Sequence, residues 1–211
     1  SVLEILVTAI RHEEEIKTIQ IRKKKNCICK QNHKRKGADM IWHEIVKYSS
    51  ENYGENGVYT KDEWTSRSDI GTVYEGKTFT LEKYLDVEQR YINVVLSIMD
   101  VTNCRYMIIQ YLEADKTYIA KRIKTSKFHK IDSLLLKSIS LLEENKRISI
   151  GQISNVLRLA LREYIYVELS NKAHKLFVKF GYDYYLNVAC SLSNEVLEDI
   201  VRKEKLFLDP R

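Results

Sequence analysis

A chain of 211 residues, 44% of them hydrophobic, can bury its own core, and four cysteines are too few for a disulfide framework. No hydrophobic run reaches the length of a membrane span, and the charged residues after the apolar first ten do not fit a secretory signal, so we expect a cytoplasmic protein without membrane contact. The net charge of +6 comes mainly from the first 39 residues, with ten Lys/Arg and five Asp/Glu, so a nucleic acid is not the expected partner of the rest of the chain.

Residues 1–39 are therefore treated as a basic N-terminal extension, for which two interpretations stay open. One is a native arm. The other is translated upstream DNA with Met40 as the true start, because residues 35–37 (Arg-Lys-Gly) can be encoded by purine-rich codons like those of a ribosome-binding site. In both cases residues 40–211 are expected to form a single domain, in which residues 41–46 fit either a strand or a short helix.

A long helix is predicted after residue 80. Thr80 is a favourable N-cap, Glu82 complements the helix dipole, and the apolar residues of 81–99 recur at spacings of three and four. The uniformly apolar residues 106–112 predict a buried strand. Residues 117–124 alternate in polarity and are predicted to pair with that strand as a central hairpin.

Three further helices are predicted in the second half of the chain. Asp132 is expected to cap the first of them, with Leu134 among its buried residues. Ser149 and Gln152 form a capping-box pattern before the second, and Ser193 is the expected N-cap of the third.

Strand patterns occupy the remainder of this half. Residues 164–169, 175–180 and 183–190 predict an antiparallel meander, and residues 206–208 predict a short edge strand. Because helices and strands are segregated along the chain, we expect an α+β fold. Its antiparallel sheet, the C-terminal meander plus the central hairpin, is expected to pack with about four helices.

The sequence carries no recognised motif for catalysis or cofactor binding. It lacks the Gly-rich phosphate loops, HExxH and GxSxG, and the spacing of Cys27 and Cys29 does not suit a zinc site. We therefore expect a protein that is not an enzyme, with no catalytic residues, no cofactor and no metal. One alternative is a hydrolase whose site assembles only in the fold.

A second alternative is a nucleic-acid-binding or regulatory module that uses the basic residues 22–36 of the arm. Arg158 and Arg162 do not strengthen it, because they lie one turn apart on the polar face of a predicted helix, where solvated basic residues are normal.

Two segments have the composition of binding loops. In residues 62–76, Trp64 lies among acidic residues, and in residues 180–185 tyrosines surround Asp183. The competing interpretation is structural: Trp64 fills the core, Asp69 caps a turn, and the second segment is an ordinary hairpin.

These segments, together with residues 84–88, resemble small immunity proteins of bacterial polymorphic-toxin and contact-dependent growth inhibition systems. The matching residues are Asp62-Glu63-Trp64-Thr65-Ser66, Asp69-Ile70-Gly71, Tyr84-Leu85-Asp86-Val87-Glu88 and Phe180-Gly181-Tyr182-Asp183-Tyr184-Tyr185. The resemblance covers residues 40–208 and implies a protein that binds and blocks a cognate toxin domain, often a nuclease. Many inhibitors of nucleases are more acidic than this chain, which leaves the toxin class open. The six residues expected to contact the partner are Trp64, Asp69, Glu75, Tyr182, Asp183 and Tyr184.

Overall fold

The structure is a computed structural model, and it describes residues 41–181 and 183–209. In this part of the chain, a seven-stranded antiparallel sheet packs with helices, and a separate two-stranded hairpin lies between the first strand and the first helix. The predicted α+β class is therefore confirmed. Predictions that concern residues 1–40, including the basic arm at residues 22–36, lie outside the described residues, as does Tyr182.

The large sheet has the strand order β5-β4-β6-β7-β8-β1-β9, and β2 pairs with β3 in the hairpin. The strands are β1 (Trp42–Val46), β2 (Val73–Tyr74), β3 (Lys77–Thr78), β4 (Tyr106–Glu113), β5 (Arg147–Ser149), β6 (Tyr166–Asn171), β7 (Leu176–Phe180), β8 (Leu186–Ala189) and β9 (Phe207–Leu208). The antiparallel pairing of β6, β7 and β8 confirms the predicted meander, and β9 is the predicted edge strand.

Three of the five α-helices in the described residues begin directly after their predicted capping residues, Thr80, Ser149 and Ser193. The five are α1 (Leu81–Val101), α2 (Lys116–Thr125), α3 (His129–Asp132), α4 (Ile150–Leu161) and α5 (Asn194–Lys203). The side chain of Thr80 accepts a hydrogen bond from the backbone of Lys83, and that of Ser193 from the backbone of Val196. Ser149 and Gln152 form the predicted capping box at α4. Each cap satisfies a backbone N–H group that has no partner within the helix.

The predicted central hairpin is wrong, because residues 117–124 belong to helix α2. Asp115 accepts a hydrogen bond from the backbone of Tyr118 and caps this helix, and Ile119 and Ile123 are buried one turn apart. The i, i+4 spacing of these isoleucines and the cap outweigh the alternation that suggested a strand. Strand β4 pairs instead with β5 and β6.

The helix predicted after Asp132 is a 3₁₀ helix at Ser133–Leu141, and Asp132 does not cap it. The carboxylate of Asp132 is bound to other side chains, so it is not available for the helix terminus. Leu134 was expected to be buried but is 75% exposed.

Helix α1 lies at the centre of the core. Tyr84, Tyr91 and Ile92 on this helix are fully buried. No helix among the described residues is long and apolar enough to cross a membrane. The segment that connects β1 to α1, residues 47–80, has only short 3₁₀ turns and the β2–β3 hairpin, and it contains one of the two segments with the composition of binding loops.

Candidate functional site

The structure brings together the two segments that the sequence singled out. The rings of Trp64 and Tyr184 meet edge to face with centroids 5.0 Å apart, although they are far apart in the chain. Next to them, the hydroxyl of Tyr48 donates a hydrogen bond of 3.0 Å to the backbone oxygen of Asp183. The loop segment of residues 47–80 and the β7–β8 connection therefore form one continuous region.

Trp64 and Tyr184 belong to the core of this region and not to its surface. Trp64 is 8% exposed and stacks on Phe79 with centroids 4.4 Å apart. Tyr184 is 5% exposed, and its hydroxyl lies 2.9 Å from the backbone oxygen of Leu161, its hydrogen-bond acceptor. The expectation that these two aromatic side chains are presented to a partner is therefore corrected, because both are buried among apolar neighbours.

Asp69 organises the loop. Its Oδ2 atom accepts hydrogen bonds from the backbone N–H groups of Thr65 and Ser66, at 2.9 and 3.0 Å, and completes a capping box with Ser66. Asp69 therefore caps a turn, as the competing structural interpretation expects. Glu75 and Asp183 are exposed, and Glu75 forms an ion pair of 3.7 Å with Lys61.

The central part of the loop segment, residues 51–76, is acidic although the chain as a whole is basic. Residues 51–76 hold six Asp/Glu and two Lys/Arg, and one of those two, Arg67, is buried. Among the acids lie two exposed apolar side chains, Val58 and Val73, which are 57% and 59% exposed. We call this the acidic loop surface. Its defining residues are Glu55, Val58, Asp62, Val73, Tyr74 and Glu75.

The charges of this surface lie close together. Partial burial and then the neighbouring carboxylates of Asp69 and Asp62 raise the pKa of Tyr74 above its ordinary value. Glu75 of the hairpin lies 3.7 Å from Lys61, the residue that precedes Asp62 in the chain. Such a cluster of like charges favours a cationic partner.

A buried ion network lies beneath the loop. Arg67 donates two hydrogen bonds of 2.8 Å to the carboxylate of Asp132, which also accepts from Arg162 at 2.7 Å and from Tyr164 at 2.5 Å. Arg162 in turn donates to Glu88 at 2.7–3.0 Å. None of the five side chains is more than 8% exposed, and the two arginines balance the two carboxylates.

This network fixes the loop to the helices, because Arg67 of the loop binds Asp132 of α3. Arg162, directly after α4, then links Asp132 to Glu88 of α1. Burial disfavours the charge on Asp132, but hydrogen bonds from Arg67 and Tyr164 overcome it and hold the pKa of this carboxyl below its ordinary value. Burial also opposes the charge on Arg162, yet Glu88 raises its pKa further. Asp132 and Arg162 therefore stay charged and paired at neutral pH.

Sequence reasoning missed this network and expected Arg162 to be solvated. One signal was present: Glu88 falls at an apolar position of the α1 pattern, where a charged residue needs a buried partner. The sequence does not identify Arg162 as the partner of Glu88, because the two residues are 74 positions apart.

The buried ion network is not an open reaction centre. The ion network is closed to solvent and internally paired, so its carboxylates are not available to a substrate. Among the described residues, no group of three or more His, Cys, Asp or Glu side chains is placed to hold a metal ion.

Lys47 is the other buried charge of the region. Its Nζ atom lies 3.0 Å from Oε2 of Glu63 and over the rings of Tyr48 and Trp64, at 4.0 and 4.5 Å from their centroids. Its side chain is 5% exposed. Burial lowers the pKa of Lys47 to about 8 from its ordinary value of 10.5, although Glu63 favours the charged form.

The lowered pKa of Lys47 predicts a rise in stability at mildly alkaline pH. Between about pH 8 and about pH 10.4 the native state has released a proton that the unfolded state still binds, so the free energy of unfolding should increase over that range. Lys47→Met should remove this increase in urea unfolding curves, whereas Lys61→Met, at an exposed position, should retain it. An equal increase in both variants would contradict the assignment.

The chain matches no protein-family model, no curated protein and no solved structure. The class of the protein is therefore defined by its own geometry. It is an α+β protein with an acidic loop surface that a buried ion network holds in place.

Proposed function

We propose that this chain is a cytoplasmic immunity protein that binds a cognate toxin domain, such as a nuclease, and blocks it by contact alone. The observation that carries the proposal is the acidic loop surface, which exposes Glu55, Asp62 and Glu75 together with the apolar side chains of Val58 and Val73. Interfaces commonly combine an apolar centre with a charged rim, and charge complementarity accelerates association. The fitting partner has a cationic cleft, such as the phosphate-binding site of a nuclease.

The anchoring of the loop supports the same function. A loop that orders only on binding loses affinity, whereas one already held in its bound shape does not. Arg67, the Asp69 capping box and the stacked Trp64 hold the segment in place before any partner arrives. The preformed acidic loop surface competes with phosphate groups for the cationic cleft of the partner.

Of the six residues expected at the interface, Glu75 and Asp183 are the exposed members of the described part of the chain, and Asp69 is half-buried. In this proposal Trp64, Asp69 and Tyr184 position the surface, and Asp62 and Glu75 meet the partner. Direct contact is thus assigned to acids and not to the aromatic anchors.

Charge reversal on the acidic loop surface tests the proposal. The probe is the cognate toxin domain that the proposal requires, titrated with the full chain in a calorimeter. Asp62→Lys combined with Glu75→Lys should weaken a one-to-one complex by at least tenfold, because two attractions become repulsions. The matched control is Glu143→Lys with Glu195→Lys, two exposed acids on other elements. Equal affinities of the two double variants would reject the surface, and the absence of any complex would reject the function.

A further inference from the structure

Helix α2 and the turn after it are strongly basic. Residues 116–131 contain six Lys/Arg and His129, and no Asp or Glu. The six basic residues are Lys116, Lys121, Arg122, Lys124, Lys127 and Lys130, and all six are exposed. Such a run of one sign is an electrostatic footprint for a polyanion.

The helix directs these charges away from the core. Ile119 and Ile123 face inward and are at most 1% exposed, so the opposite side of α2 carries Lys121 and Lys124. Tyr118 lies on the same outer side and is 60% exposed. An exposed aromatic ring among lysines is the combination with which proteins bind single-stranded nucleic acid, where bases stack on the ring and phosphates contact the cations.

Two of the basic residues are engaged within the protein. Arg122 donates a 2.9 Å hydrogen bond to the backbone oxygen of Glu163 and lies over the ring of Tyr164, and Lys127 lies over the ring of Phe128. The partners in these contacts are a backbone carbonyl and aromatic rings, not carboxylates. The contacts therefore do not neutralise the positive charge of Arg122 and Lys127.

We propose that this basic helix surface, defined by Lys116, Tyr118, Lys121, Lys124 and Lys130, binds the backbone of single-stranded nucleic acid. The inference does not depend on the proposed function, because a different surface carries it. It differs from the expectation that residues 40–211 do not bind nucleic acid. That expectation rested on the summed charge of these residues, which is nearly neutral. The fold separates that near-neutral total into an acidic loop and a basic helix.

The experiment measures binding of the full chain to a fluorescent single-stranded RNA of about 20 nucleotides, longer than a single binding site. Single-stranded DNA and vesicles of anionic phospholipid are the parallel probes. Lys121→Glu with Lys124→Glu should weaken binding more than tenfold. It should also make the plot of log affinity against log salt shallower by about 1.4, at about 0.7 for each lost phosphate contact. Tyr118→Ala should weaken binding about tenfold without changing that slope.

The control is Lys172→Glu with Lys203→Glu, which changes the net charge equally at two exposed lysines elsewhere. Every variant keeps residues 1–39, so any contribution of the basic arm is constant. Equal weakening by both double variants, or none by either, would overturn the proposal. Binding of vesicles alone would also overturn it in favour of a membrane surface, and wild-type affinity of Tyr118→Ala would exclude stacking of bases. Circular dichroism verifies that each variant folds.

Discussion

Replacing Asp132 with alanine is expected to lower the free energy of unfolding by about 3–5 kcal/mol. The change leaves Arg67 without its bidentate acceptor and removes one acceptor from Arg162, at a position that solvent does not reach. Tyr164 loses its acceptor as well. Breaking a buried pair on one side is costly because the remaining charge is neither hydrated nor neutralised.

Urea unfolding measures this loss, and Asp86→Ala is the matched control. Asp86 pairs with Arg90 on the exposed side of α1, where an ion pair contributes about 1 kcal/mol or less. Similar losses in the two variants would show that the Asp132 pairs are no stronger than surface pairs.

The pH dependence provides a second readout of the same network. The pKa of Asp132 is lower in the native state than in the unfolded state. Its stabilising contribution is therefore complete above the unfolded pKa of about 3.9 and is lost as the pH falls through the lower native value. Asp132→Asn should lack that part of the acid-induced loss.

The second large effect is expected for Trp64→Ala, which should lower the free energy of unfolding by about 3–5 kcal/mol. The substitution removes the ring that stacks on Phe79 and meets the edge of Tyr184, and it leaves a cavity beneath the loop. This outcome differs from the expectation for a surface anchor, whose removal leaves the fold intact and weakens only a complex.

Trp42→Ala is the control for Trp64, since Trp42 lies on β1 and is 36% exposed. Its loss should be less than half as large, because much of the ring is already in solvent. A loss below about 1 kcal/mol for Trp64→Ala would mean that the loop is not packed on the core as described.

The elements that the sequence predicted correctly depend on local interactions. Thr80, Ser149 and Ser193 cap helices through backbone groups three residues away, so the relevant residues can be read in one short window. The meander follows likewise from alternation within each strand and from short connections. Helix α2 differs from the predicted strand because alternation and isoleucine spacing compete in the same window, and the cap that Asp115 forms favours the helix.

The candidate site was predictable only in part, because its parts meet across long separations. Residues 62–76 and 180–185 were each singled out by composition, but their contact depends on the whole fold. The pairing of Arg67 with Asp132 spans 65 residues, and nothing local to either residue identifies the other. The basic helix and the acidic loop were hidden for another reason: their charges nearly cancel when the chain is counted as a whole.

Amide hydrogen exchange on the full chain, alone and saturated with the cognate toxin domain that the proposal requires, tests the central claim most directly. If the chain acts by contact through the acidic loop surface, exchange slows in residues 51–76 on binding, while α5 exchanges as in the free protein. Protection confined to other elements, with the loop exchanging as fast as before, would contradict the account.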